Sequence, residues 1–339
     1  MSKSNRRITI VDIARELGVS SALVSMVLSG KGQKHRINKQ TSKKVFETAK
    51  ELGYNPNLLA RALRTGKTGV LGLIVADISN PFFAMIARLL ENEAYVNGCD
   101  VMFSSSDEDL DKFNKLGNAF ITRQVDGLII SPVTGSGDII AEWQSRGIPI
   151  VSIDRYISSL NIPYAVTDNY DASMEIIKFI IKKGYKKIAY VGKQSNLSSF
   201  TDREEGFIDG TKELDISPDN FTVFRLDYLI WEVEIREVIK TILNERFDII
   251  FFGQNVIGIE GLRIFNSMNI RIPDDIAVIS FDNPEVFEFN KPSITCFEQP
   301  LDILAKKSFH YLRDLIEGKS GEKSMNQKFK GRLIIRESC

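Results

Sequence analysis

Residues 8–30 read ITIVDIARELGVSSALVSMVLSG, and the spacing within this stretch predicts two short helices joined by a tight turn. Ile10, Ile13, Ala14 and Leu17 recur at helical intervals and give the first helix one apolar face. Thr9, with Asp12 three residues on, forms a capping box that marks where that helix starts. Gly18 supplies the positive φ of a sharp turn, and Ser20 caps a second helix. On that second helix Leu23, Val24 and Val27 face the first, while Ser21, Ala22, Ser25 and Met26 face outward. The small Ala14 lets the two helices cross closely, and the pattern is that of a helix-turn-helix whose outward face can enter a major groove. An αα-hairpin in an ordinary helical core is the competing reading, and context decides between them.

Charge supplies that context. The chain carries 44 Lys and Arg against 44 Asp and Glu, but residues 1–68 hold 14 basic and 4 acidic side chains. A basic head on an acidic body points to a polyanion-binding module joined to a part that binds something else. At 339 residues, 43% hydrophobic and 26% charged, the chain is long enough for two or three domains with real cores. Cys99, Cys296 and Cys339 are widely spaced and have no metal-ligand grouping, which fits a reducing compartment. The basic residues Lys3, Arg6 and Arg7 are followed by no apolar core of a signal peptide, because Asp12, Arg15 and Glu16 interrupt it. No apolar run approaches the ~20 residues that span a membrane. The expectation is a soluble, cytoplasmic protein that does not engage a membrane.

After the hairpin comes a Gly- and Lys-rich loop, then a third helix from about Lys39 to Leu52, with Val45, Phe46, Ala49 and Leu52 inward and Gly53 closing it. Arg36 and Asn38 near its start suit phosphate contacts, which set register rather than read sequence. In YNPNLLARALRTGKTG, Asn57 can cap a helix of barely two turns from Leu58 to Leu63. So short a helix is marginal alone and needs a partner. Leu59 and Leu63 on one face, with Arg61 and Arg64 on the other, suggest a hinge helix that pairs with its symmetry mate on DNA and wedges a leucine into the minor groove.

TIVDIARELGVS…VSMVLSG, followed by ELGYNPNLLARALRTGKTGVLGLIVADISNPFF and running on to LIIRES, resembles the lactose-repressor (LacI/GalR) family of bacterial transcription regulators over nearly the whole chain. The resemblance implies a three-helix head that reads half an operator, with Thr9, Ser20, Ser21, Ala22, Ser25, Met26, Arg36 and Asn38 as its DNA-facing set. It also implies a hinge that uses Asn57 and Ala60 and inserts Leu63. The reading face departs from the family, in which larger polar residues are common at these positions and an arginine is usual at Met26. An arginine holds a guanine edge with two hydrogen bonds; a methionine offers apolar contact, for example to a thymine methyl. The loop KGQKHR is also longer than usual in the family.

From Val70 strands alternate with helices. VLGLIV, VMFSS, GLIIS and IPIVSID are strands, with helices at Phe82–Asn97 and Leu110–Gln124. A second series gives helices Ala172–Lys183, Asp202–Leu214, Trp231–Asn244 and Val256–Met268 and strands KIAYVG, FTVFRL, DIIFFG and AVISFD. Such alternation predicts two doubly wound parallel-sheet lobes, with ligands at the carboxyl ends of strands. The expected fold is therefore an all-α helix-turn-helix head plus an α/β body like a periplasmic sugar-binding protein. The expected domains are 1–54, a hinge and linker at 55–69, and a body at 70–339. Three lobe crossings, implied by that resemblance, fall near Val166, Ser293 and Lys323, so one lobe takes 70–166 with 294–323 and the other 167–293 with 324–339.

The strand ends carry the candidate effector contacts: Asn80, Phe82 and Phe83; Ser131; Asp154 and Arg155; Arg203; Phe251 or Gln254 and Asn255; Asp282 and Asn283. Forked planar polar groups mixed with aromatic faces suit a polyhydroxyl ligand such as a sugar. Asp154 and Asp282 would accept from hydroxyls, Arg203 would donate, and Phe82 or Phe251 would stack. The family's cleft uses positions matching Phe82, Ser131, Asp154, Arg203, Asp282 and Gln299. A nucleobase effector or control by a partner protein remains the alternative. An enzyme is not expected: there is no phosphate-cradling glycine motif, no GxGxxG and no CxxC, and nothing else supports Asp154 with Asp282 as a glycosidase pair. No cofactor or metal is expected. By resemblance the protein acts on double-stranded DNA as a homodimer, packed near Ile86, Leu89 and Leu90, because the chain ends soon after LIIRES without a tetramer-forming helix.

Overall fold

The computed structural model describes residues 8–28, 30, 32, 35–54, 66–319 and 325–339. The chain divides into two compact units, Met1–Thr68 and Gly69–Cys339. The proposed hinge positions Asn57, Ala60 and Leu63 lie outside the described residues.

In the first unit, α1 (Ile10–Leu17), α2 (Ser21–Leu28) and α3 (Lys39–Glu51) surround a small core of Ile13, Ala14, Val24, Val27, Val45 and Ala49. The Asp12 carboxylate accepts from both the Thr9 N–H (2.9 Å) and the Thr9 hydroxyl (2.6 Å), so α1 starts where the sequence marks it. It stops at Gly18, φ 65°, where Val19 N–H returns to the Ala14 carbonyl and Gly18 N–H to Arg15. That is a Schellman ending, available here because glycine has no Cβ to oppose the left-handed backbone. Ser20 Oγ accepts from Leu23 N–H and begins α2 three residues later. The turn is thus set by one glycine and one capping serine.

The second unit contains two six-stranded sheets. The first lobe runs β1 (Val70–Val75), α4 (Pro81–Val96), β2 (Asp100–Ser105), α5 (Leu110–Thr122), β3 (Gly127–Ile130), α6 (Gly137–Ser145), β4 (Ile150–Ile153) and β5 (Tyr164–Thr167). The second runs α7 (Asn169–Lys182), β6 (Ile188–Lys193), α8 (Ser198–Glu213), a 3₁₀ turn at Pro218–Asn220, β7 (Phe221–Leu226), α9 (Trp231–Asn244), β8 (Ile249–Phe252), α10 (Asn255–Met268), β9 (Ala277–Phe281), α11 (Glu285–Phe289) and β10 (Thr295–Glu298). The chain returns to the first lobe through α12 (Leu301–Ile316) and β11 (Asn326–Phe329), and ends in the second with β12 (Arg332–Ile334).

The strand orders are β11-β5-β4-β3-β1-β2 and β12-β10-β9-β8-β6-β7. Each sheet is the doubly wound 2-1-3-4-5 arrangement with one late strand added at its edge, and all pairs are parallel except β10 with β12. Strands such as β8, IIFF, are apolar throughout because helices cover both faces; their side chains divide between two cores in each lobe.

Two expectations are corrected. The later crossings lie at Gln299–Pro300 and Lys330–Gly331, not near Ser293 and Lys323. Thr295–Glu298 pairs with β9 and so is the fifth strand of the second lobe, while the polar stretch Asn326–Phe329 pairs with β5 as an edge of the first. Ile86 and Leu90 belong to the first lobe's own core, at 0% and 1% exposure. The apolar residues that α4 leaves outside are Met85, Tyr95 and Val96, and Phe103 on the edge strand β2 is exposed as well.

Candidate functional site

In the head, Ser21 and Ala22 are exposed on α2, and Ser25 and Met26 are half-buried beside them. Thr9 and Ser20 spend their hydroxyls on helix starts. Asn38 likewise caps α3, its Oδ1 accepting from Gln40 N–H at 2.8 Å, and exposed Arg36 holds a left-handed backbone just before it. The first turns of α2 and α3 therefore present small polar groups and free backbone N–H donors, the chemistry that phosphates meet at helix starts.

In the second unit, the carboxyl ends of both sheets open onto one cavity of about 450 Å³ between the lobes. This follows from topology: the strand order reverses at β1 and at β6, and the loops there diverge to leave a crevice. Asn80, Phe82, Phe83, Asp154 and Arg155 line it from the first lobe. Arg203, Gln254, Asn255 and Asp282 line it from the second, and Gln299 lines it at the crossing.

Ser131 and Phe251 do not reach the cavity. Ser131 is fully buried behind Asp154, its hydroxyl 3.4 Å from Oδ2. Phe251 is fully buried in a ring cluster, 5.2 Å from Tyr190 and 6.2 Å from Phe207 between centroids. It lies inside β8, where both faces are covered, and the cavity begins beyond the strand at Gln254. The rings that line the cavity from the second lobe are instead Phe200, Tyr228 and Trp231, which the strand-end reading does not include. Lys193 and Glu108 were missed as well. Lys193 is the last residue of β6 and was open to the same strand-end rule; Tyr228 and Trp231 follow β7 in a segment with no pattern of its own.

Asp154 and Asp282 stand at equivalent strand ends, in VSID and ISFD, and both adopt left-handed backbones with φ 72° and 66°. That geometry turns each carboxylate off its strand toward the cavity wall. Arg155 is buried between Asp154 and Glu108, with both ion pairs at 2.8 Å. Burial opposes its charge, but the two carboxylates outweigh burial and hold the guanidinium charged well above its usual range. Arg203 is 3% exposed; its Nε donates to Asn169 Oδ1 and its NH1 to the Gly253 carbonyl, each at 2.8 Å. Its carbon centre lies 3.7 Å from the Phe281 ring. Burial lowers the Arg203 pKa, with Asp282 offsetting part of the drop, and burial raises that of Asp282 in turn.

Asp282 also accepts from the Gln299 amide, whose oxygen accepts from the Thr167 hydroxyl. Thr167 ends β5 at one crossing and Gln299 lies at another, so a carboxylate in the cavity is linked through Gln299 to two of the three crossings between the lobes. Asn255 Nδ2 reaches Asn80 Oδ1 across the cleft at 2.8 Å. On the second-lobe wall, Lys193 Nζ sits 4.4 Å from the Trp231 ring centroid and 5.1 Å from that of Tyr228. Burial pushes its pKa down to about 8, with Glu108 and Glu232 offsetting part of that. Among the described residues no group of His, Cys, Asp and Glu could hold a metal ion; His310 pairs with Glu93, both half-buried, and packs against Phe309. No helix among them is long and apolar enough to cross a membrane.

Residues 9–57 match bacterial regulatory proteins of the lacI family. Residues 68–221 match the periplasmic binding proteins and sugar-binding domain of that family, and 177–339 a periplasmic binding protein-like domain. The chain is 31% identical to the ribose operon repressor of Halalkalibacterium halodurans, over 97% of this chain and 96% of that one. A periplasmic binding protein/LacI transcriptional regulator from Alkaliphilus metalliredigens, solved with D-xylulofuranose, is 27% identical with a TM-score of 0.68, over 80% of this chain and 98% of that one. The lac repressor dimer bound to operator and an anti-inducer shares the fold, with a TM-score of 0.84 over 98% of this chain and 99% of that one at 19% identity. The helix-turn-helix, the paired doubly wound lobes and the full-length similarity agree: the chain belongs to the lacI family of bacterial regulatory proteins and is a DNA-binding transcription regulator.

Proposed function

We propose that the protein is a cytoplasmic repressor that binds a pseudo-palindromic operator as a homodimer and changes its operator affinity when a sugar or sugar derivative enters the cleft. The observation that carries the effector reading is the pair of strand-end carboxylates, Asp154 and Asp282, facing one cavity with Arg203 and the amides of Asn255 and Gln299. Such forked acceptors and donors around a ring-sized space suit a molecule with several hydroxyls. The ribose operon repressor and the D-xylulofuranose complex among the relatives support a sugar as well.

A head of three short helices contacts few base pairs, so two heads are needed for a specific site. The exposed Met85, Tyr95 and Val96 on α4 and Phe103 on β2 provide an apolar face for the second copy. Residues 55–69 serve as the hinge, with Leu63 as its minor-groove wedge. A ligand alters operator affinity only through its different affinity for the two lobe arrangements. The route from ligand to lobe movement is the Asp282–Gln299–Thr167 chain of bonds.

The test combines ligand and operator. Thermal-shift screening of the full-length protein should find a sugar that stabilises it, by ~2.7 kcal/mol at a hundredfold over Kd. That sugar should change affinity for an operator selected from random duplexes. Asp282→Asn should abolish the sugar response but keep operator binding, and Leu63→Ala should weaken operator binding about tenfold or more with the sugar response intact. A screen with no stabilising sugar would overturn the effector reading.

A further inference from the structure

The second-lobe wall of the cleft is rich in hydrogen-bond donors that meet no acceptor. Lys193 forms no ion pair among the described residues; its ammonium rests against the Trp231 and Tyr228 rings, which attract the charge but accept no strong hydrogen bond. The amide nitrogen of Gln254, a residue 5% exposed, has no partner, because that side chain uses its oxygen to accept from the Lys193 backbone N–H at 3.1 Å. The Ser199 hydroxyl, 1% exposed in the first turn of α8, is unpartnered too. All three residues line the cavity.

The cleft's other charges are already engaged. Arg155 is ion-paired with Glu108 and Asp154, and Arg203, beside Asp282, gives its Nε and one NH1 donor to Asn169 and the Gly253 carbonyl, keeping its other N–H groups for hydroxyls. Asp107 pairs with Lys112, Asp77 bonds Ser79, and Asp282 bonds Gln299 beside Arg203. A neutral sugar closing into this space would bury the ammonium without an ion-pair partner, with Glu108 already held by Arg155 and Glu232 exposed, since a hydroxyl can accept one bond but brings no charge.

We propose that the effector carries an acidic group, a carboxylate or a phosphate, which the second-lobe wall receives at Lys193 with Gln254 and Ser199, while its hydroxyls face Asp154, Asp282 and Arg203. The inference rests on the sugar reading above and narrows it to sugar acids or sugar phosphates. Lys193 lies at the end of β6 and Gln254 just past β8, on adjacent strands, so one anionic group can meet both.

The test is a matched titration of the full-length protein: D-ribose against D-ribonate and D-ribose 5-phosphate, and D-glucose against gluconate, glucuronate and glucose 6-phosphate. In the wild type, at least one acid should bind tenfold or more tighter than its neutral parent, the carboxylate and phosphate arms showing which anion fits. Lys193→Met and Lys193→Gln should bring that ratio to within about twofold, and Lys193→Arg should keep most of it. The proposal fails if every neutral parent binds as tightly as its acids, or if the preference survives in both neutral variants. If neither acids nor neutral sugars bind, the sugar reading itself falls and this inference with it.

Discussion

Lys193 is a charge held in the cleft wall at the expense of stability. Its ammonium ordinarily titrates at 10.5 and burial brings it to about 8. Between those values the unfolded chain binds more protons than the folded one, so the ligand-free protein gains stability as pH rises through that window. Lys193→Met removes the buried charge. It should raise Tm at neutral pH, and its advantage over the wild type should shrink between pH 8 and 10.5; a constant Tm difference across that range would show that the lysine is not the cause. Asp282 presents a separate problem at the same scale, because it combines a charge with a left-handed backbone at φ 66°. Asparagine tolerates that backbone and alanine does not, so Asp282→Asn tests the charge without adding strain. Neither point is legible in the residue types: a strand-end Asp reads equally well as a helix cap.

The elements of the second unit depend on close approaches that periodicity does not reveal. Gly206 of α8 crosses α7 so tightly that a Cβ added there would sit 2.4 Å from the Tyr170 carbonyl oxygen, a backbone atom with no freedom to move aside. Gly206→Ala should therefore lower the stability of the second lobe by about 1–3 kcal/mol, read as a lower urea midpoint with an unchanged slope. The apolar spacing of each helix was readable beforehand, because a buried stripe recurs every three or four residues whatever it packs against. Helix starts were less so. The second-lobe helix expected from Asp202 begins at Ser198, which places Ser199 and Phe200 at the cleft, and α7 begins at Asn169 because Asp168 caps it. Phe251 illustrates the opposite error: an aromatic near a strand end was assigned to the ligand, but a two-sided cover keeps it in the core.

At the scale of the molecule, the proposed function depends on the balance between open and closed lobes. Several bonds join the lobes in this structure. Asn255 meets Asn80, Tyr156 N–H donates to Ser198 Oγ at 2.8 Å, and Lys328 on β11 pairs with Asp202 on α8 at 2.9 Å. The Lys328 pair is away from the cavity and half-buried, and Asp202 and Tyr156 together hold its ammonium charged against the effect of burial. An ion pair of this kind is worth up to ~1 kcal/mol, about fivefold in an equilibrium. Lys328→Met should thus weaken effector binding severalfold without touching the ligand, by favouring the open lobes, and should shift operator response by the same coupling. Calorimetry of the variant against the wild type decides it: an unchanged Kd would mean that this pair does not report on closure.

The amino-acid sequence by itself determined the local features. Capped helices, a glycine turn, alternating strands and helices and a basic head on an acidic body are each encoded within a few residues or in bulk composition. Tertiary structure alone decided which sheet β10 and β11 join, since a strand's partner is chosen by long-range contacts that short polar or mixed stretches do not announce. It also assembled the donor wall of the cleft. Lys193, Ser199 and Gln254 come from separate strand ends and a helix start, and only the doubly wound topology brings them to one surface.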